Sequence, residues 1–576
     1  MDLVKVVQTY IDKMMEQASG MKIFLLDADT TPIVSVVTTQ STLLEKEAYL
    51  VDKIDNRQRD KMKHLKCICF VRPTHDSIQA LVDELRDPRY GDYYLFFTNV
   101  VKKSMLERLA EVDQHEVVRE VQEYFADYVA VNPDLFSLNM TLARSSVYGE
   151  SVHDWDGRAL QRTTEGLMSV LLSLKQRPLI RYERMSAMAR KLGEELNYAI
   201  HQEHQLFDLP PVDTPPLLLI LDRRNDPVTP LLLQWTYQAM VHELLGINNG
   251  RVDMSNVPDI APDLKEIVLS VESDPFFRKS MYMNWGDLGA QIKEYADEYQ
   301  RQHKSNMKIE SVHDMKRFVE EYPEFRKLSG NVSKHVTLVG ELYRLQTRCK
   351  LLEVSELEQN LACNESHASD LRALESMITD PKIRDENKLR LTILYALRYE
   401  KYSSNATRHL IEMLVQQGLG ERKVALIDAI LASAGADQRQ GDLFQNQDIF
   451  ARSRNVFKGL KGVENVFTKH EPLLAQTLDQ LFKGRLKDAD YPFVQGVNRD
   501  RPHNLIIFYV GGATFAEARL IAHLNASTPG VRIVLGGTNV VNSASFLDQI
   551  EEISARSASI SPLAQRLTGH ARRAGI

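Results

Sequence analysis

The sequence predicts an α/β plus all-α chain: two α/β units with parallel sheets and a large helical insertion. Three observations carry that prediction. Over residues 21–135, short apolar runs ending on turn residues alternate with helical periods. The same strand-then-turn signal recurs far apart in the chain, at Leu217–Leu221, Leu505–Val510 and Val531–Leu535. Between these, roughly from 250 to 480, the pattern is almost wholly helical. Strands separated by helices make parallel sheets. The two late runs need a sheet to join, and the Leu217 strand is the economical partner. The middle α/β unit is therefore expected to be discontinuous, interrupted by the insertion.

Taken in order, the N-terminus places Val4, Val7, Ile11 and Met14 at helical spacing, an amphipathic helix rather than a signal peptide. Ile23–Leu26 reads as a strand closed by Asp27, and Tyr94–Phe97 as one closed by Thr98. Leu65–Val71 is a third, with Cys67 and Cys69 on one face because strand side chains repeat every two residues. Ser77–Leu85, Leu167–Leu174 and Met185–Ile200 read as helices, and a Pro-rich bridge, Leu209–Pro216, follows. Leu217–Leu221 then stops at Asp222, before Arg223, Asp226-Pro227 and Thr229-Pro230. Proline donates no ladder hydrogen bond and disfavours α geometry in the residue before it. A helix-like run from Leu231 to Leu245 is expected next. In the insertion, Leu288, Ile292, Tyr295 and Tyr299 form one stripe of a helix over Asp287–Asn306. Met315, Phe318, Val319 and Tyr322 follow its polar tip, and Val332–Leu361 reads as one long helix with two apolar faces. Asn387–Tyr402 and Thr407–Leu419 suggest a separate bundle.

Composition narrows the function. At 576 residues the chain exceeds one hydrophobic core. Its 43% hydrophobic and 26% charged residues are ordinary for a soluble protein. A net charge of −7 and a pI near 6.2 argue against nucleic acid as the main partner. Four scattered cysteines argue for a reduced compartment. No apolar stretch approaches the roughly 18 residues of a membrane span, and the C-terminal HARRAGI lacks a lipidation box. The chain is thus expected to reach a membrane only through something it binds.

Catalytic chemistry is hard to find. Gly511-Gly512 follows a strand, but GGATFAEAR is neither G-x-G-x-x-G nor a P-loop, so a tight strand-to-helix turn is the simpler reading. Asp222 and Asp226 at a turn more often bond nearby backbone N–H groups than a metal. His201 and His204 stand at i, i+3 on a polar helix end, and Cys67 and Cys69 lack zinc-site spacing. No G-x-S-x-G elbow is present. No enzyme activity, metal or cofactor is expected.

Against that background, LDRRNDPVTPLLLQWTYQAMVHELLGI resembles the central signature of the SM (Sec-one/Munc-eighteen) family of syntaxin-binding proteins. RPHNLIIFYVGGATFAEARLI and VRIVLGGTNVVNSASFLDQI resemble its C-terminal strands, and MKIFLLDADTTPIVS its first strand and turn. KIESVHDMKRFVEEYPEFRKLSGNVSKHVTLVGEL, LLEVSELEQNLAC and FKGLKGVENVFTKHEPLL are similar to the vacuolar-protein-sorting branch numbered forty-five. The resemblance implies a three-domain arch, with domain 1 at 1–135 and domain 2 at 136–249 plus 480–576. Domain 3a would span 250–361 and domain 3b 362–479. It implies a non-enzymatic SNARE-assembly chaperone for vesicle fusion at the trans-Golgi network and endosomes, recruited peripherally. A passive syntaxin-stabilising scaffold and a nucleotide-binding switch are the alternatives.

The implied partners are a trans-Golgi or endosomal syntaxin of the syntaxin-sixteen type and its cognate SNAREs, as a monomer or 1:1 complex. A small-GTPase effector or tether is a further implied partner. In Lys102–Val121, Leu106, Leu109 and Val118 fall on the positions of the family's pocket for the syntaxin N-terminal peptide; the same residues also suit a helix packed on a sheet. Asp27 and Asp52 match acidic cleft positions, while Pro32 and Thr39 stand where neuronal members carry basic residues. In the 3a hairpin, Tyr295, Tyr299, His303, Val332, Val336 and Val339 are expected to template SNARE pairing, unless the two stripes simply bury each other.

Overall fold

The computed structural model describes residues 1–142, 146–151, 153–303, 330–363, 366–441, 443–444, 469–498 and 500–560, with backbone alone at 295–303, 330–332 and 557–560. The chain opens with α1 (Leu3–Gln17), whose Asp2 side chain accepts the Lys5 N–H at 3.1 Å. The first α/β unit then runs β1 (Lys22–Leu26), α2 (Thr30–Val37), α3 (Gln40–Glu45), β2 (Ala48–Lys53), β3 (Met62–Val71), α4 (His75–Arg86), β4 (Tyr90–Phe97), α5 (Lys103–Val112) and β5 (Val118–Glu123). All its strand pairs are parallel, in the order β2-β1-β3-β4-β5. One face packs on α4 and α5 through Ile23, Leu25, Cys67, Cys69 and Leu95. The other packs on α1 and α2 through Phe24, Ile68, Phe70 and Phe96. Both faces being covered explains why the central strands β1, β3 and β4 read as apolar runs, whereas the edge strands β2 and β5 do not.

The second unit follows as β6 (Val129–Asn132), β7 (Leu135–Ser137), α6 (Gly157–Ser173), β8 (Leu179–Tyr182), α7 (Ala187–Gln202), β9 (Leu217–Asp222) and α8 (Tyr237–Leu244). The insertion holds β10 (Arg251–Asp253), β11 (Glu266–Val268), α9 (Pro275–Ser280), α10 (Trp285–His303), α11 (Gly330–Arg348), α12 (Leu351–Cys363), α13 (His367–Thr379), α14 (Asp385–Tyr399), α15 (Thr407–Gln416), α16 (Glu421–Ala434) and α17 (Leu473–Phe482). The chain then returns through β12 (Asn504–Val510), α18 (Phe515–Ser527), β13 (Arg532–Gly537) and α19 (Ser543–Ile560). The six-stranded order β6-β7-β13-β12-β9-β8 joins the late strands to the Leu217 strand, as the sequence predicts. Leu505 lies beside Leu217 in register, and Tyr509 beside Leu221.

Five expectations need correction. The division at 135 falls inside the second sheet, because β6 pairs antiparallel with β7, which pairs with β13. The division near 480 falls inside α17, whose Leu474, Leu478 and Leu481 pack on that sheet. The run from Leu231 is not helical until Tyr237. Leu231 ends a single 3-10 turn, and the stretch after it is held by side chains of α12: the Leu233 N–H donates to Glu358 at 3.0 Å and Trp235 Nε1 to Ser355 at 2.9 Å. Tertiary hydrogen bonds there replace the i→i−4 bonds that periodicity anticipates. The insertion also carries the antiparallel pair β10–β11. Finally, the long helix over Val332–Leu361 is two helices, α11 and α12, broken where Lys350 takes φ 50° and ties Nζ to Asp380 at 2.7 Å.

Candidate functional site

The signature loop after β9 is built inward. Arg223 is fully buried and grips Glu517 of α18 with both Nη2 contacts, at 2.7 and 2.6 Å, while its guanidinium lies 4.1 Å over the Tyr509 ring. Its Nε donates to the Gly512 carbonyl at 3.0 Å and its Nη1 to that of Asp226 at 3.1 Å. Glu517 in turn accepts from the Thr514 N–H and hydroxyl at 2.9 and 3.0 Å, closing a capping box on α18. Asp226 accepts from the Thr229 N–H and hydroxyl and from Leu473 N. Asp222 binds the Arg224 backbone and guanidinium and the Ser186 hydroxyl. Both carboxylates of the loop, Asp222 and Asp226, have internal partners, and the loop joins β9, α18 and α17. Gly511 and Gly512, at φ 90° and 104°, form the tight turn that the bland reading anticipates.

The outer seam of the first sheet is different. α5 docks by Leu109, which is buried, with Met105 and Val112 partly covered beside it. Leu106 turns to the flank and stays 37% exposed. The strand under this seam, β5, is the edge of its sheet. The turn into it is held by Asp113, whose two oxygens accept the N–H groups of Val117 and Val118 at 3.0 Å each. Val118 is half-buried against the same core. A register shift after Val118 then sets Val121 beside Leu95, whose side chain faces α5. Val121 thus shares that face and is 46% exposed. The sequence analysis missed it, because the shift breaks the i, i+2 count from Val118 and only the register reveals it. Leu106 on α5 and Val121 on β5 each leave apolar surface exposed, whereas Leu109 belongs to the core.

The acidic positions divide likewise. Asp27 is consumed by the fold: it accepts from the backbone of Asp29, Thr30 and Arg72 and from the hydroxyls of Thr30 and Ser77, all within 2.7–3.0 Å. Burial pushes its carboxyl up, against the pull of those donors. A carboxylate so saturated is the cap on a strand end, which corrects the reading of Asp27 as a cleft ligand. Asp52 is half-buried on β2 and engages Lys53 N at 2.7 Å and Asn56 Nδ2 at 2.9 Å. Pro32 is buried in α2 and Thr39 caps α3 by accepting Thr42 N at 3.2 Å.

In the hairpin, Val336 and Val339 of α11 are buried with Leu288 and Ile292 of α10 and with Met240 and Val241 of α8. Among the described side chains the stripes therefore bury each other, and these two valines are not a free template surface. Tyr295, Tyr299, His303 and Val332 sit on α10 and α11 where only the backbone is described, and the tip lies outside the described residues. At the root, His335 bridges Tyr237 (Oη to Nδ1, 2.6 Å) and Asp274 (Nε2 to Oδ2, 2.8 Å), and Lys334 reaches the same oxygen at 2.7 Å. Burial works to raise the Asp274 carboxyl, but the hydrogen bond from His335 and the Lys334 ammonium hold it down at about 2. Elsewhere His201 is spent on the Asn197 carbonyl at 2.7 Å.

Comparison with known proteins accords with this architecture. The Sec1 family pattern matches residues 22–549. The vacuolar protein sorting-associated protein 45 of Mus musculus is 50% identical over 553 residues, 96% of each chain. That of Schizosaccharomyces pombe is 46% identical over 562 residues, covering 96% of this chain and all of its own. A solved structure of the SM protein Vps45 in complex with the Qa SNARE Tlg2 superposes with a TM-score of 0.89 at 56% identity, over 97% of this chain and 99% of that one. The Unc18–syntaxin 1 complex from Monosiga brevicollis shares the fold, with a TM-score of 0.77 at 19% identity. Since the match runs through both sheets and the whole helical insertion between them, the chain belongs to the Sec1 family.

Proposed function

We propose that this chain is a SNARE-assembly chaperone that binds a Qa SNARE of the syntaxin type and serves vesicle fusion at the trans-Golgi network and endosomes. It works by holding partner helices in register, which is proximity without covalent chemistry. Among the described residues no helix is long and apolar enough to cross a membrane, so recruitment runs through the partner. The observation that carries the reading is the 56% identity, over nearly the whole chain, to a protein solved with a Qa SNARE bound. The α5–β5 seam is the docking place for the SNARE's N-terminal peptide, with Leu106 and Val121 as its apolar contacts and Leu109 and Val118 as their support. Asp52 and the 3a hairpin form the inner contact region.

The test is a titration of a Qa SNARE N-terminal peptide into wild type and Leu106→Arg. A charge placed in an apolar groove is costly, and Leu106 is exposed enough to change without disturbing the fold. Peptide affinity is expected to fall more than about tenfold; equal affinity for both proteins would refute the seam. Rates of SNARE assembly with added protein separate the chaperone, which accelerates them, from a scaffold, which does not.

A further inference from the structure

A polar cleft opens at the amino ends of β8 and β9, at the opposite end of the second sheet from the signature loop. Leu179 opens β8 there and Leu217 opens β9, while the end of α17, the loop after it and the segment before β12 complete the walls. The cleft encloses about 260 Å³, just under the usual range of ligand clefts, a size that suits a headgroup and excludes a helix.

Its floor holds a buried cation. Arg181 is 5% exposed; its Nε donates to the Tyr491 carbonyl at 2.7 Å, and its Nη2 to the Leu486 carbonyl at 3.3 Å and the Asp488 carboxylate at 2.9 Å. The guanidinium lies 4.5 Å over the Phe493 ring, and Nη1 takes part in none of these bonds. The rim adds cations that the fold does not use. Arg485 and Lys487 line the cleft, are exposed, and pair with no carboxylate among the described residues. Arg501 stands between the lining residues Asp500 and Pro502, its guanidinium 5.2 Å over the Phe482 ring. Asp488 already faces Arg181, so Asp500 is the lining carboxylate left to oppose the rim. This local positive excess contrasts with a chain of net charge −7. Unpaired cations around a concavity draw an anion, and guanidinium forks match phosphate oxygens.

Two exposed aliphatic side chains flank the cations. Val497, 65% exposed, directly precedes the lining Asn498, and Val212, 60% exposed, stands in the proline bridge whose Pro215 and Pro216 form one wall. Basic side chains beside exposed aliphatic ones are what an anionic membrane surface engages. A free phosphate would use the cations and leave both valines in water.

We propose that this cleft takes the phosphate-monoester headgroup of an anionic lipid, with Arg181, Arg485 and Lys487 around the phosphate and Val212 and Val497 against the lipid boundary. The contact goes beyond the proposed function: it adds to recruitment through the partner and does not require it. In the test, the full chain without any SNARE is mixed with phosphatidylcholine vesicles carrying phosphatidylinositol monophosphate, or phosphatidylserine at matched charge, and capture is read by co-flotation. The monophosphate vesicles are expected to be preferred. Arg485→Glu with Lys487→Glu is expected to lower that affinity more than about tenfold, and Asp500→Asn to raise it. Lys382→Glu with Lys401→Glu, at exposed lysines of the insertion, makes the same change in net charge and is expected to leave capture unchanged. Equal capture by phosphatidylserine, or equal losses in the two double variants, reduces the effect to bulk charge and overturns the site. Calorimetric binding of soluble inositol monophosphate without vesicle capture overturns the lipid source, and binding of neither overturns the proposal entirely. Each of these results leaves the proposed function standing. Thermal unfolding is expected to be unchanged in all the variants, since every substituted side chain is exposed.

Discussion

Replacing Arg223 with Met tests whether the signature loop is a structural keystone. The guanidinium is fully buried, satisfies both Glu517 oxygens, and donates to the Gly512 and Asp226 carbonyls. Its removal leaves the Glu517 charge in a dry interior, which by itself costs about 3–5 kcal/mol. Two orphaned carbonyls add about 1 kcal/mol each at the low end of such losses. The expected loss is therefore about 5–7 kcal/mol, against a total stability of about 5–15 kcal/mol for an ordinary domain. Glu517→Leu is expected to cost a comparable amount, since it strands the arginine and opens the capping box of α18. The double variant strands neither member of the pair, so its loss falls below the sum of the two by about 3 kcal/mol. The assay is hydrogen exchange at β9 and β12 amides under increasing denaturant, which reports this sheet rather than the whole multi-domain chain. Losses that add to within about 0.5 kcal/mol would show that the two side chains act independently.

Three further outcomes follow from single sites. Gly512→Ala is expected to lose about 1–3 kcal/mol, because φ is +104° and a Cβ would stand 2.4 Å from Asn539 Oδ1 and 2.7 Å from Val541 Cγ1; a neutral result in thermal unfolding would mean the turn relaxes freely. Burial pushes the Glu183 carboxyl from 4.5 up to about 8. A folded value above the unfolded one gives stability that is full below about 4.5 and is lost as pH rises toward 8, so Glu183→Gln should flatten that slope in denaturation series across the window. Asp274 has the opposite sign, held at about 2 against an unfolded 3.8. Its contribution is present above about 3.8 and lost as pH falls to 2, and Asp274→Asn should remove that limb from acid unfolding curves.

The central strands of both sheets were legible in the sequence because they are covered on two faces and so read as apolar runs, Leu217–Leu221 being the clearest; the edge strands β2 and β5, half exposed and polar, were not. The return of Leu505–Val510 to that sheet was legible from topology alone: a buried strand must pair. What failed had a common cause. Leu232, Leu233 and Trp235 are apolar at helical spacing, yet Glu358 and Ser355, far along the chain, supply the hydrogen bonds that hold them extended. Lys350 carries no breaker signature, yet it takes φ 50° between α11 and α12. Asp27 matches an acidic surface position by residue type, but only coordinates show five donors converging on it. Val121 hides behind a register shift. Periodicity reports which face of an element is apolar. It does not report what covers that face.

That distinction decides how the hairpin is to be used. Leu288, Ile292, Val336 and Val339 are all buried between α10, α11 and α8. Burying four such side chains is worth about 6–12 kcal/mol, so a partner helix that claimed them would have to replace contacts of that size before any net binding appeared. A surface that templates another chain more economically keeps its core closed and uses flanks left open. On the first unit such a flank exists, where Leu106 and Val121 are exposed while Leu109 holds α5 in place. Binding at that seam leaves the Leu109 core untouched. Binding at the stripes of the insertion requires its root to unpack, and the Tyr237–His335–Asp274 bridge resists that step. The seam and the hairpin are thus unequal as proposed sites: occupying the first would leave the chain's packing as it stands, and occupying the second would come at the expense of that packing.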